Sequence, residues 1–265
     1  MRRNERAKRN GRPYLIGVSS DIPPNADWGR FPLTMPFMRS LDISFKTPVT
    51  FLIGENGSGK STLLEALVDN AGLPVNGGGR NELADQGDQS ELAPYLRIAG
   101  SIRPRDDYFF RAEMEDRFAS LLDRRDEDPD FKAGPCGGNP FAAYGGRSLH
   151  ERSHGESFLH MLQAWMRPGI LFMDEPESAL SPRRQLTLLS LMHNLVTTRD
   201  AQFVIATHSP ILMTFPGATI LFLDENGIRE VTLEETPHYQ ITRDILESPS
   251  RFWEHFLENK EEEES

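Results

Sequence analysis

A strand, a glycine loop and a helix in immediate succession constrain this chain more than any other feature. Residues 49 to 68 read VTFLIGENGSGKSTLLEALV. Val49 to Ile53 is an apolar, β-branched and aromatic run of the length of a buried strand. The segment Gly54, Glu55, Asn56, Gly57, Ser58, Gly59, Lys60, Ser61 then fits G-x-x-x-x-G-K-[ST]. Thr62 to Val68 continues with Leu63, Leu64, Leu67 and Val68 at helical spacing. Glycines let successive backbone N–H groups turn inward around a phosphate, where a Cβ would obstruct them. The helix that starts at the loop adds its positive dipole end. In this arrangement Lys60 reaches the β- and γ-phosphates and the Ser61 hydroxyl ligates Mg²⁺. The chain is expected to bind a nucleotide through residues 54 to 62.

Composition bounds the rest. At 265 residues, 38% hydrophobic and 26% charged, the chain reads as one large or two small globular domains. No apolar run approaches the ~20 residues of a membrane span. The basic start, MRRNERAKRNGR, has no apolar core after it and so is not a secretory signal. A single cysteine, Cys136, excludes an internal disulfide and fits a cytoplasmic protein. The net charge of −11 is unevenly spread. Residues 1–12 hold six Arg/Lys against one Glu, and residues 258–264 hold five Glu against one Lys. An acidic body repels nucleic acid unless its basic residues cluster. The expected organisation is a basic tail (1–12), one domain (13–257) with an insertion at 72–152, and an acidic tail (258–265).

Along the chain, Tyr14 to Val18 and Leu41 to Phe45 read as strands flanking a Pro-rich loop with scattered aromatics. Asn70 to Ser90 is rich in Gly, Asn, Asp and Gln and reads as mobile, and 124–152 as loop. Strands are expected at 95–102 and 107–111, and a helix at 112–122. The second half alternates more regularly. A helix is expected at 156–165 and a strand at 169–173; a helix at 182–198 and a strand at 203–206 follow. A hairpin turns around Asp224 to Gly227, and an amphipathic segment spans 238–257. Strands alternating with helices around a glycine loop predict an α/β fold of the P-loop NTPase type, with a mostly parallel sheet covered on both faces.

Three further motifs carry chemistry. Ile170 to Met173 is an apolar strand that ends in Asp174, Glu175 and Pro176. In a parallel sheet that end lies beside the glycine loop. Asp174 is expected to hold Mg²⁺, and Glu175 to polarise the attacking water as the base. The strand 203–206 ends in Thr207, His208, Ser209 and Pro210, which directs His208 at the γ-phosphate. Ser153, His154, Gly155 and Glu156 head a helix, with Ser153 and Glu156 spaced as in a capping box.

The ordered set GENGSGKS, SHGES, ILFMDEPESALSP and ATHSP resembles the ATP-binding-cassette-type ATPases. Within them it is similar to small, soluble, non-transporter AAA-type ATPases of bacteria, relatives of the heads of chromosome-maintenance and double-strand-break-repair ATPases. The resemblance implies Mg-ATP as ligand, Glu175 and His208 as catalytic residues, and Ser153, Gly155 and Glu156 as a signature facing a partner's nucleotide. It further implies a head-to-tail, ATP-dependent homodimer acting on an unspecified protein or nucleic acid. Three departures stand out. Arg152 and His154 replace two signature residues, and Ser181 replaces the Asp after Ser178-Ala179-Leu180. No glutamine follows a strand where the family's glutamine loop belongs. Arg111 or Glu113 would take its place, with Gln86 and Gln89 in the stretch read as mobile. Phe31 lies where the family stacks an aromatic on adenine, with core packing as the alternative.

The 91 residues between Ser61 and Ser153 are too few for a long coiled coil, so the chain reads as a head without arms. A soluble ATPase is the leading reading. The alternative is the nucleotide-binding subunit of a membrane transporter, against which the altered signature and the missing glutamine stand.

Overall fold

Residues 13–79, 89–100, 107–111, 114–133, 138–151, 154–165, 167–254 and 256 are described by the computed structural model. Both charged tails, Gln86, Gln89's neighbours at 80–88, Glu113, Cys136 and Ser153 therefore lie in whole or part outside the described residues.

The chain opens with β1 (Leu15–Ser20), β2 (Asp42–Ser44) and β3 (Val49–Ile53), and the glycine loop leads into α1 (Lys60–Asn70). A short β4 (Gly78–Gly79), β5 (Leu96–Gly100) and β6 (Tyr108–Arg111) precede α2 (Met114–Glu127), α3 (Pro129–Ala133) and α4 (His154–Trp165). The second half runs β7 (Ile170–Asp174), α5 (Pro182–Arg199), β8 (Gln202–Ala206), β9 (Thr219–Asp224), β10 (Gly227–Val231) and α6 (Pro237–Glu247).

Seven strands form one sheet in the order β10-β9-β3-β8-β7-β6-β4. The five central strands are parallel, and β10 and β4 run antiparallel at the edges. Every residue of β3, β7 and β8 is buried, which is why these segments are nearly unbroken apolar runs. The faces alternate at period two. Leu52, Phe172, Val204 and Ala206 pack with Leu63, Leu64 and Leu67 of α1 on one side. Phe51, Met173, Phe203 and Ile205 pack with Phe158 of α4 and Leu188 and Met192 of α5 on the other. Each fully buried Phe contributes roughly 2 to 3 kcal/mol of transfer free energy.

A second sheet, β2-β1-β5, is antiparallel and adds Val18 and Ile43 to the α1 face. The expected strands form it, but as a separate sheet. Gln202 ties the two sheets together: its side chain accepts from Leu15 N (2.8 Å) and donates to Leu15 O (2.9 Å). Replacing it with an apolar residue would orphan both backbone groups. A third cluster joins Phe118 and Leu122 of α2 to Met161 of α4, with Trp165 stacked on Tyr108 and edge-on to Phe118.

Two expectations need correction. Residues 70–79 are not a free segment: Leu73 and Val75 are buried, and Asn70 Nδ2 donates to Ala66 O and Ala93 O. Glycine-rich composition marked tight turns there, not lack of packing. The stretch from 124 is not simply loop either, because α2 runs on to Glu127 and α3 follows. Its charges made it look unstructured, yet one apolar stripe suffices for a helix on a cluster of this size.

Candidate functional site

The site is set by strand order. β8 lies between β3 and β7, so three parallel strands end side by side, with Ala206 opposite both Leu52 and Asp174. Their continuations place the glycine loop, the carboxylates Asp174 and Glu175, and His208 along one sheet edge, where ligands of such sheets bind.

The loop between β3 and α1 needs its glycines. Gly54 has φ +149°, and a Cβ there would lie 2.2 Å from Leu223 O. Gly59 has φ +95°, and its Cβ would meet Phe37 Cε1 at 2.7 Å. Lys60 is 4% exposed and donates to Gly54 O and Glu55 O, both at 2.9 Å. Burial lowers its pKa, and the carboxylates of Glu175, Asp174, Glu55 and Glu177 oppose that. Ser58 Oγ is buried with no hydrogen-bond partner. A lone buried hydroxyl beside a lysine at a helix start is what a phosphate oxygen would satisfy, so these residues fit the group the motif implies.

Ser61 Oγ donates to Asp174 Oδ1 at 3.0 Å. The pair offers a hydroxyl and a carboxylate, the usual protein share of a Mg²⁺ site that phosphate and water complete. Among the described residues no cluster of three or more acidic, His or Cys groups could hold a metal alone. Asp174 Oδ2 is held by Arg111 Nη2 at 3.1 Å, the same nitrogen that pairs with Glu65 at 2.8 Å. Arg111 Nη1 also donates to Val75 O. Burial raises the Asp174 pKa, while Arg111 and the Ser61 hydroxyl pull it back. Register explains the contact, since Arg111 and Asp174 are direct partners in the β6–β7 ladder. Sequence reasoning offered Arg111 only as a glutamine substitute; its tie to Asp174 had no local signal.

That tie has a measurable consequence. Arg111→Ala should lower stability by about 2 to 3 kcal/mol at neutral pH, by leaving Asp174 and Glu65 partly buried without their cation. The charged carboxylate causes the loss, and without Arg111 the folded-state pKa of Asp174 rises further above its unfolded value. The deficit should therefore shrink as pH falls through that raised pKa and Asp174 protonates. Urea unfolding of parent and variant at several pH values checks both sign and size.

Glu175 sits at φ +45°, with its N–H donating to Ala206 O at 2.9 Å. This left-handed turn projects its carboxylate to within 3.7 Å of His208 Nε2. His208 is anchored through its backbone N–H, which donates to Glu177 Oε1 at 2.6 Å. Burial pushes the Glu177 pKa up, and the His208 N–H bond opposes the rise. A buried Ser209 Oγ to Gln185 Oε1 bond (2.6 Å) braces the same turn. Glu177 was missed in the sequence because it reads as part of an acidic turn.

His208 Nδ1 meets His238 Nε2 of α6 at 3.0 Å, a residue no motif singled out. The two histidines line a cleft of about 290 Å³ with Glu55, Asn56, Ile241 and Thr242. Of the residues expected to face a partner, Gly155 lies in the first turn of α4. Glu156 is exposed and ion-paired with Arg184 of α5 at 3.4 Å. Phe31 is 53% exposed, so core packing does not hold it; Phe37 is the buried aromatic against the loop.

With this geometry, the chain has an α/β fold whose mostly parallel sheet carries a G-x-x-x-x-G-K-S loop at one edge, and two stretches of it match AAA-domain families. Residues 97–214 match the family described as "AAA domain, putative AbiEii toxin, Type IV TA system", and residues 34–70 match an "AAA domain" family. Among curated proteins, the chain is similar to the aliphatic sulfonates import ATP-binding protein SsuB of Corynebacterium glutamicum. That match is 26% identical and covers 77% of this chain and 81% of the relative. The hemin import ATP-binding protein HmuV of Streptomyces coelicolor is 30% identical over 64% of this chain and 63% of its own. Among solved structures, the SMC head domain from Thermotoga maritima is 16% identical with a TM-score of 0.45, over 82% of this chain and 98% of that one. None of the described helices is long and apolar enough to cross a membrane.

Proposed function

We propose that the chain binds Mg-ATP along this sheet edge and hydrolyses it to ADP and phosphate. The observation that carries the reading is the convergence of Lys60, the Ser61–Asp174 pair, Glu175 and His208, drawn from three parallel strands, on one edge. Lys60 would neutralise the β- and γ-phosphates, and Glu175 would take a proton from the water that attacks the γ-phosphorus. His208 would donate to the oxygens that gain charge as the bond to the bridging oxygen breaks. Mg²⁺, held by Ser61 and Asp174, would supply charge neutralisation across the β- and γ-phosphates.

Active assembly in this reading is a homodimer in which Ser153 and Gly155 of one copy close over the nucleotide of the other. A protein or nucleic-acid partner would be driven by that closure. A second reading, a transporter's ATP-binding subunit, is favoured by one observation: the curated relatives named above are importer ATP-binding proteins. Light scattering on Glu175→Gln separates assembly from its absence. ATP should double the mass, and Ser153→Arg in the same background should abolish that doubling while leaving ATP affinity within about twofold. A mass unchanged by ATP would remove the dimer from the reading. Doubling that survives Ser153→Arg would reduce Ser153 to a helix cap.

A further inference from the structure

We infer that His238 is the positioning residue that fixes which ring nitrogen of His208 carries the proton, so that His208 presents an N–H at Nε2. The inference rests on the ATPase reading above only for the identity of the ligand, the γ-phosphate. His208 Nδ1 and His238 Nε2 are 3.0 Å apart, with the rings tilted by 55°. One of these nitrogens donates and the other accepts, and a neutral imidazole has a single N–H. The two remaining nitrogens, His208 Nε2 and His238 Nδ1, are buried without a hydrogen-bond partner.

Only two neutral arrangements exist. If His208 Nδ1–H donates to His238, then His208 Nε2 is a bare lone pair. That lone pair would face the Glu175 carboxylate 3.7 Å away, and it could not donate to a phosphate oxygen. If His238 Nε2–H donates instead, His208 Nδ1 accepts and Nε2 carries the proton. The Glu175 carboxylate and an incoming phosphate then both attract it. The second arrangement is the electrostatically consistent one. Burial and His208 hold the His238 pKa below its ordinary value, with Lys60 adding to this and Glu55 opposing. His238 is itself held firmly. It follows Pro237 in the first turn of α6, capped by fully buried Thr236, whose Oγ1 accepts from Tyr239 N at 3.2 Å. An orienting group of this kind, one bond removed from the reacting atoms, is worth on the order of tenfold in rate.

The full chain with Mg-ATP provides the test. His238→Ala should reduce kcat about tenfold with ATP affinity within about twofold of the parent. His238→Gln should recover kcat to within about threefold of the parent, because its amide N–H can donate where Nε2–H did. Nitrogen-15 histidine spectra of the parent should show His208 protonated at Nε2, a preference that His238→Ala abolishes. Unchanged kcat in His238→Ala, an equal loss in Ala and Gln, or His208 protonated at Nδ1 in the parent would each overturn the assignment. The spectra report the tautomer whether or not ATP is turned over. Absent turnover in the parent thus counts against the ATPase reading and leaves this assignment to be judged by the spectra.

Discussion

Glu175→Gln should reduce ATP turnover by at least about a hundredfold while ATP still binds. The amide preserves the side chain's size and can occupy the same left-handed turn beside Ala206, whose carbonyl binds the backbone N–H and not the side chain. What it cannot do is accept a proton from water. Replacing charge by dipole also removes the carboxylate facing His208 Nε2 at 3.7 Å, so the two residues lose their mutual attraction together. Steady-state phosphate release, with ATP affinity measured by titration on the same preparation, gives both numbers. Turnover within about twofold of the parent would assign the base elsewhere, with His208 the nearest candidate.

The second large effect is expected at Lys60. Lys60→Ala should weaken ATP binding on the order of a hundredfold, because it deletes a buried cation at the loop. The lysine donates to Gly54 O and Glu55 O and holds the loop's carbonyls together. Alanine therefore removes both a phosphate partner and a brace, so loop glycines at φ +149° and +95° would lose part of their constraint. Calorimetric titration of ATP into parent and variant decides it. Undiminished affinity would take the glycine loop out of nucleotide binding altogether.

How much of this was legible in the sequence follows from burial and from chain distance. The runs at Val49, Ile170 and Phe203 were readable as strands because a parallel strand buried on both faces admits almost no polar residue. The glycine loop was readable because its residues are adjacent and its φ values exclude other side chains. Strand β4 was not, since Gly78 and Gly79 carry no propensity and pair only because β6 offers an edge. The separate sheet of β1, β2 and β5 was invisible for a similar reason: periodicity marks a strand without naming its partner. Arg111 was seen at the end of its strand, but its grip on Asp174 depends on a register that spans 63 residues. His238 lies 30 residues beyond His208, and only the fold of α6 back over the loop brings the rings together. Residues that act through a neighbour left no motif, whereas those expected to touch phosphate did.

The central claim, that the edge formed by β3, β7 and β8 catalyses attack of water on a γ-phosphate, is tested most directly by single-turnover reaction in heavy-oxygen water. With the full chain in excess over Mg-ATP, each released phosphate should carry a heavy oxygen and the ADP none. Chelation of Mg²⁺ or Glu175→Gln should suppress release. No phosphate release by the parent, or release that persists at the parent rate in Glu175→Gln, would contradict the account.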